Sequence, residues 1–178
     1  MTTTTDVAVF VSINQDVEDS ERGRWMTLSN YANKTDFMDA AKKLIGSEVL
    51  FFSDVEADFE IGDLITSTDI DSKVWGYISL EDTDDISLVQ AYERAFGLSG
   101  DDAKQTLAAA NKALYGRFER FGDVARDYRY DLSYKKGESE RGIFSAQDLK
   151  TLTTHEMGVV LMEHMTEANE YYFWNNAN

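Results

Sequence analysis

Cysteine and proline are both missing from the 178-residue chain. Without cysteine the fold has neither disulfides nor thiolate metal sites to staple it. Without proline, the turns fall to glycine, asparagine, aspartate and serine. Basic residues are also scarce: 17 Lys and Arg stand against 33 Asp and Glu, a formal net charge of −16. That excess argues against direct binding of nucleic acid or an anionic membrane, because both require positive surface. The suited partners are basic: a cation, a polyamine or the basic groove of a protein. No apolar run approaches the ~20 residues that span a bilayer. The opening MTTTTDVAVFVSI lacks the basic region of a signal peptide, so a cytoplasmic location is expected.

What the chain does contain is enough apolar material for a packed core, at 43% hydrophobic and 12% aromatic residues. The charge is unevenly spread. Residues 1–43 and 94–178 each carry a net −2, whereas residues 44–93 hold 13 acids and one base, Lys73, for a net −12. This middle stretch is not an acidic tail, which would be poor in aromatic and branched residues. Its acids alternate with Leu50, Phe51, Phe52, Val55, Phe59 and Ile61, so one face can be buried and the other displayed.

Residues 6–13 are β-branched and aromatic and read as a strand, followed by a loop from Asn14 to Arg22 and a returning strand from Gly23 to Leu28. Phe37, Ala40, Ala41, Leu44 and Ile45 recur at helical spacing, with Thr35 suited to the N-cap and Gly46 to the stop. A third strand covers Glu48 to Phe52 and can continue into Asp54–Ile61. Asp69 to Leu80 fits either state. Helices are expected over 84–96, stopped by Gly97; from an N-cap at Ser99 to about Tyr115, stopped by Gly116; and over 121–130, 145–152 and 155–168. Residues 135–142 read as a charged loop and Tyr171–Trp174 as a closing strand. The fold class is α+β.

Several chemistries fail on spacing. His155-Glu156 begins a metalloprotease-like helix, but the second histidine would be needed at position 159, which is Val. His164 lies roughly 180° around the helix from His155 at ~100° per residue. A calcium loop starting at Asp54 requires Gly at position 6 and Glu at position 12; Phe59 and Ile65 occupy them. No phosphate-binding loop, nucleophile elbow or dinucleotide fingerprint is present. The chain reads as non-enzymatic, with no cofactor.

Asp54, Glu56, Asp58 and Glu60 alternate with Val55, Ala57, Phe59 and Ile61. As a strand, the segment buries the apolar set and displays the acids ~6.8 Å apart. Adjacent phosphates along one DNA strand are about 7 Å apart, from a rise of ~3.4 Å and the winding of the duplex. The acids continue through Asp63, Asp69, Asp71, Glu81, Asp82, Asp84 and Asp85. A polar face chosen only to keep a sheet edge soluble would mix signs; this one does not.

Three segments carry a resemblance to a known family. They are VFVSI (9–13) with Gly23, Trp25 and Leu28 after a loop, the aromatic-acid stretch Glu48 to Phe59, and AYERAFGLS (91–99) followed by LYGRFERFGDVARDY (114–128). Their order and spacing resemble the ArdA-type antirestriction proteins of phages and mobile elements, loosely across residues 7–130. The chain departs from the family at 107–115, where LAAANKALY replaces an acidic helix. The resemblance implies an elongated α+β chain of small domains: a sheet with a helix over 1–66, a mainly helical acidic domain over 67–104, and an α+β domain over 105–178 that forms a homodimer. It also implies a DNA mimic that occupies the DNA groove of host restriction-modification enzymes, type I above all. The eleven acids named above would be its contacts. The alternative is an acidic adaptor that binds a basic protein for regulation unrelated to DNA.

Overall fold

Alternation of apolar residues builds the first sheet. The computed structural model of the protein describes residues 5–13, 23–80, 82–98, 102–134, 143–145 and 147–175. Val7–Ser12 (β1) buries Val7, Val9 and Val11 completely and turns Ala8 and Phe10 to the other face. It is the central strand of an antiparallel sheet, flanked by Arg24–Thr27 (β2) and Phe51–Ala57 (β3). Lys34–Ile45 (α1) closes the inner face with Phe37 and Ala41, both fully buried. The N-cap is Asn33 and not Thr35: the Asn33 side chain accepts a hydrogen bond from the Asp36 amide at 3.0 Å. Gly46, at φ 74°, ends the helix as expected.

The pairing of β1 with β3 is interrupted. Val9 lies opposite Val55 and Val11 opposite Phe52, so three steps on β3 answer two on β1. The extra residue is a β-bulge at Ser53-Asp54. The strand starts later than the sequence suggested and ends at Ala57, so Asp58 and Glu60 lie beyond it.

Packing runs across the boundary expected after residue 66. Ile70 and Val74 are fully buried in the same core as the first sheet, and Val74 belongs to a short helix, Lys73–Ile78 (α2). Trp75 on α2 donates its indole N–H to the Tyr31 carbonyl at 3.1 Å. Phe37 sits in the middle of this core, with ring contacts to Tyr31 at 5.3 Å, Trp75 at 5.9 Å and Phe52 at 6.2 Å. A second cluster joins Tyr77 to Ile86 and Val89 on Thr83–Phe96 (α3) and to Ala103 on Ala103–Ala113 (α4). Gly97 at φ 62° ends α3; the Ser99 cap lies outside the described residues.

The chain divides into two compact units, Met1–Gln90 with Ser99–Leu107 and Ala91–Leu98 with Ala108–Asn178. In the second, Leu114–Arg117 (β4), Tyr171–Trp174 (β6) and Met165–Ala168 (β5) form an antiparallel sheet in the order β4-β6-β5. Phe121–Tyr134 (α5) and Thr154–His164 (α7) share a core of Val124, Tyr128, Met157, Leu161 and Trp174. A single helical turn, Asp148–Thr151 (α6), precedes α7. Thr153 and Glu156 form a capping box at the start of α7.

Two expected helices are shorter than their apolar spacing suggested. The helix into Tyr115 stops at Ala113, and the helix through residue 168 stops at His164. In both cases the remaining residues pair with β6, and tertiary pairing overrides local helical spacing. Gly116 is therefore no helix stop. It lies in β4, and a Cβ there would meet the Phe118 ring at 2.6 Å, so the side chain is excluded by contact. The charged loop expected over 135–142 falls outside the described residues.

The β5–β6 hairpin turns through Asn169 (φ 51°) and Glu170 (φ 67°). Asparagine tolerates this conformation, but glutamate bears the steric cost of the left-handed region. The Glu170–Arg117 ion pair at 3.3 Å is exposed on both sides and offsets little of it. Glu170→Gly is expected to stabilise the fold by about 0.5–1 kcal/mol, read as a higher urea midpoint. A lower midpoint would show that the ion pair outweighs the strain.

Candidate functional site

The acids proposed from sequence fall into groups with different local jobs. All of those described lie in the first unit, before residue 90. Glu81 lies outside the described residues.

Asp54 and Glu56 stand on β3, at the edge of the sheet. Glu56 lies opposite Ala8, and Asp54 occupies the bulge facing Phe10. Because side chains alternate along β1, Asp6, Ala8 and Phe10 share the outer face. Asp58 continues the same line beyond the strand: its Oδ2 accepts a hydrogen bond from the Asp6 amide at 3.1 Å. The outer face therefore gathers Asp6, Asp54, Glu56 and Asp58. Asp54, Glu56 and Asp58 are exposed, and the described residues offer them no ion pair.

Sequence reading missed Asp6. The signal was present, since Asp6 is two residues before Ala8 and four before Phe10 on one strand face. The pairing of Asp6 with Asp58 across 52 positions was not visible.

The regular acidic row is shorter than expected. Only Asp54 and Glu56 keep strand spacing, because the chain bends at Asp58. The apolar partners also differ. Phe59 and Ile61 are half-buried against the core, but Val55 is 39% exposed and Ala57 is exposed as well. At the end of an edge strand the inner face is left without cover on one side.

The remaining acids are distributed over turns and helix starts. Asp63 is exposed in a 3-10 turn, Gly62–Leu64. Glu60 is exposed, and its backbone carbonyl accepts from Gln90 Nε2 at 2.7 Å. Asp71 Oδ1 accepts from the Lys73 amide at 2.9 Å and caps α2. Asp82 Oδ1 accepts from the Asp84 amide at 2.8 Å and caps α3. Capping uses one oxygen and leaves the full negative charge in place. The positive end of α3 suits this run of acids. Nevertheless, burial first, and then repulsion from Asp82 and Asp84, raise the Asp85 carboxyl from its ordinary value.

Asp69 differs from the exposed acids of β3, because it has a basic partner. Lys34 Nζ lies 2.6 Å from Asp69 Oδ1. The Lys34 hydrogen bond is the main reason that the Asp69 carboxyl is held below its ordinary value. The pair cancels one of the displayed charges and ties the start of α1 to the Thr66–Asp69 turn. Its native pKa lies below the unfolded ~3.9, so the stabilisation is complete above about pH 5 and disappears as pH falls through the depressed value. Lys34→Gln is expected to cost about 0.5 kcal/mol or less at pH 7, since the pair is largely exposed. The difference between variant and parent in urea unfolding should vanish near pH 2.

Elsewhere, Tyr115 donates to Asp127 Oδ2 at 2.9 Å; burial and this bond together push its phenol well above the ordinary range. Val159 and Met162 on α7 are 53% and 63% exposed. They line a groove of about 290 Å³ with Phe121 and Ala125 of α5 and His155 of α7. Among the described residues no three His, Asp or Glu side chains converge to hold a metal ion, and no helix is long and apolar enough to cross a membrane.

No protein-family model, curated protein or solved structure matches the chain significantly.

Proposed function

We propose that the protein is a non-enzymatic DNA-mimic inhibitor. It presents carboxylates in place of phosphates to the basic DNA groove of a restriction-modification enzyme, type I in the first instance, inside the host cytoplasm. One observation carries this reading. Asp54, Glu56 and Asp58 are exposed on one sheet face with no basic partner among the described residues, within a stretch that holds −12 of the chain's −16. The likeness to ArdA-type proteins supports it. Basic side chains that release counterions when they bind DNA would meet fixed carboxylates instead, and the field of the acidic face would steer association.

The charge does not reside in one pair. Asp63, Asp71, Asp82 and Asp84 extend it from separate turns and helix starts, and each remains exposed. The homodimer that the resemblance implies would use the C-terminal domain, where Val159 and Met162 stand exposed along a groove between α5 and α7.

Displacement of duplex DNA tests the reading. Purified type I restriction-modification enzyme is loaded with labelled duplex, and the protein is titrated in at several salt concentrations. Competitive displacement that weakens as salt rises is the expected result. Binding to the enzyme without displacement would instead favour an acidic adaptor.

A further inference from the structure

The outer face of the first sheet is not only acidic. Phe10 and Trp25 lie opposite each other on β1 and β2, with ring centroids 5.7 Å apart at 67°, an edge-to-face pair. Phe10 is held from below: a Cβ at Gly23 would fall 2.2 Å from its ring, so the ring lies directly on the Gly23 backbone. Trp25, by contrast, leaves 48% of its surface open. Strand alternation places this pair on the face that carries Asp6, Ala8, Asp54 and Glu56. Arg24 is in register with Val11 and so belongs to the opposite face.

An indole exposed in an anionic field has a specific complement. A guanidinium is planar, weakly hydrated and stacks on an aromatic face, while its edge donates paired hydrogen bonds to a carboxylate. An ammonium meets the same carboxylates as a point charge but gains less from the ring. We infer that the Phe10–Trp25 pair, flanked by Asp54 and Glu56, is a docking surface for arginine side chains of the protein's partner. The inference rests on the proposed function only in taking that partner to be basic. It adds which cation the surface selects. A row of carboxylates alone favours arginine only through paired hydrogen bonds. The aromatic pair sharpens that discrimination.

Labelled hexa-arginine and hexa-lysine peptides, equal in charge, provide the test. The full chain should bind hexa-arginine about 3- to 10-fold more tightly, a ratio in the range of cation–π and bidentate contributions. Trp25→Ala should cut the ratio by half or more, leaving what paired hydrogen bonds to the carboxylates give, and leave hexa-lysine affinity nearly unchanged. Trp25→Phe should keep part of the preference. Tyr130→Ala, which removes an exposed ring on α5, should leave it intact. Equal affinities in the parent chain, or an arginine preference that Trp25→Ala leaves undiminished, would overturn the inference. Far-UV circular dichroism of each variant confirms that the sheet is retained. The outcome is separable from DNA displacement. A chain that displaces DNA without preferring arginine keeps the function and loses this surface, and the converse result loses only DNA mimicry.

Discussion

Neutralising Asp54, Glu56, Asp58 and Glu60 together, as Asn and Gln, is expected to weaken DNA displacement by about 16- to 80-fold. Each single neutralisation should cost roughly 2- to 3-fold, within the range for an exposed charge pair, and the costs multiply where each charge meets the groove separately. Salt should matter less to the quadruple variant, since fewer charges meet the groove. All four side chains are exposed, so the variant should keep its fold. It removes self-repulsion as well, and its urea midpoint should hold or rise. The opposite pattern would be decisive: if Asp54→Asn alone abolished displacement, the surface would be a localised contact and not a distributed charge.

Phe37→Ala should have the largest effect on stability. Phe37 is fully buried and touches Tyr31, Phe52 and Trp75, so it joins β3, α1, α2 and the turn after β2. Truncating a buried Phe costs about 3–5 kcal/mol in transfer and cavity terms. Against a typical total of about 5–15 kcal/mol, that is a fifth or more. The urea midpoint of the first unit should fall by about 2 M, taking a slope of about 2 kcal/mol per molar. Amides of Val7, Val9 and Val11 should lose most of their hydrogen-exchange protection. Phe37→Leu, which keeps most of the volume, should lose less than half as much. A Phe37→Ala midpoint within 0.5 M of the parent, on the same ~2 kcal/mol per molar scale, would mean that the surrounding rings collapse into the space.

The elements that the sequence made legible are those with a clean local period. The valines of β1, the apolar stripe of α1 and the glycine stops at 46 and 97 are set by neighbours within a few positions. The α+β class followed from them. What escaped was set at a distance. Leu114–Arg117 and Met165–Ala168 carry helix-compatible residues, and only β6 makes them strands. Asn33 takes the cap in place of Thr35, although both side chains can accept the bond. The Lys34–Asp69 pair spans 35 positions, and no local pattern announces it. The candidate acids were legible as composition, because an excess of one sign over 50 residues shows without a structure. Their division into face, cap and ion pair was not.

The bulge in β3 carries a consequence of phase. In an uninterrupted ladder, strict alternation from Phe52 would send Asp54 and Glu56 inward and Val55 outward. The single extra residue at Ser53-Asp54 reverses that order, and both carboxylates emerge on the open side. Chain length at this point thus controls the sign of the surface. Deleting Ser53 would shorten β3 yet leave Asp54 and Glu56 facing out, because a regular ladder then begins at Phe52. Inserting a further residue after Asp54 would also restore a regular ladder, but with Asp54 turned toward the valines of β1 and only Glu56 still facing out. The open side keeps both carboxylates on loss of one residue and only one on gain, an asymmetry that a deletion and insertion scan across residues 52–56 would expose directly.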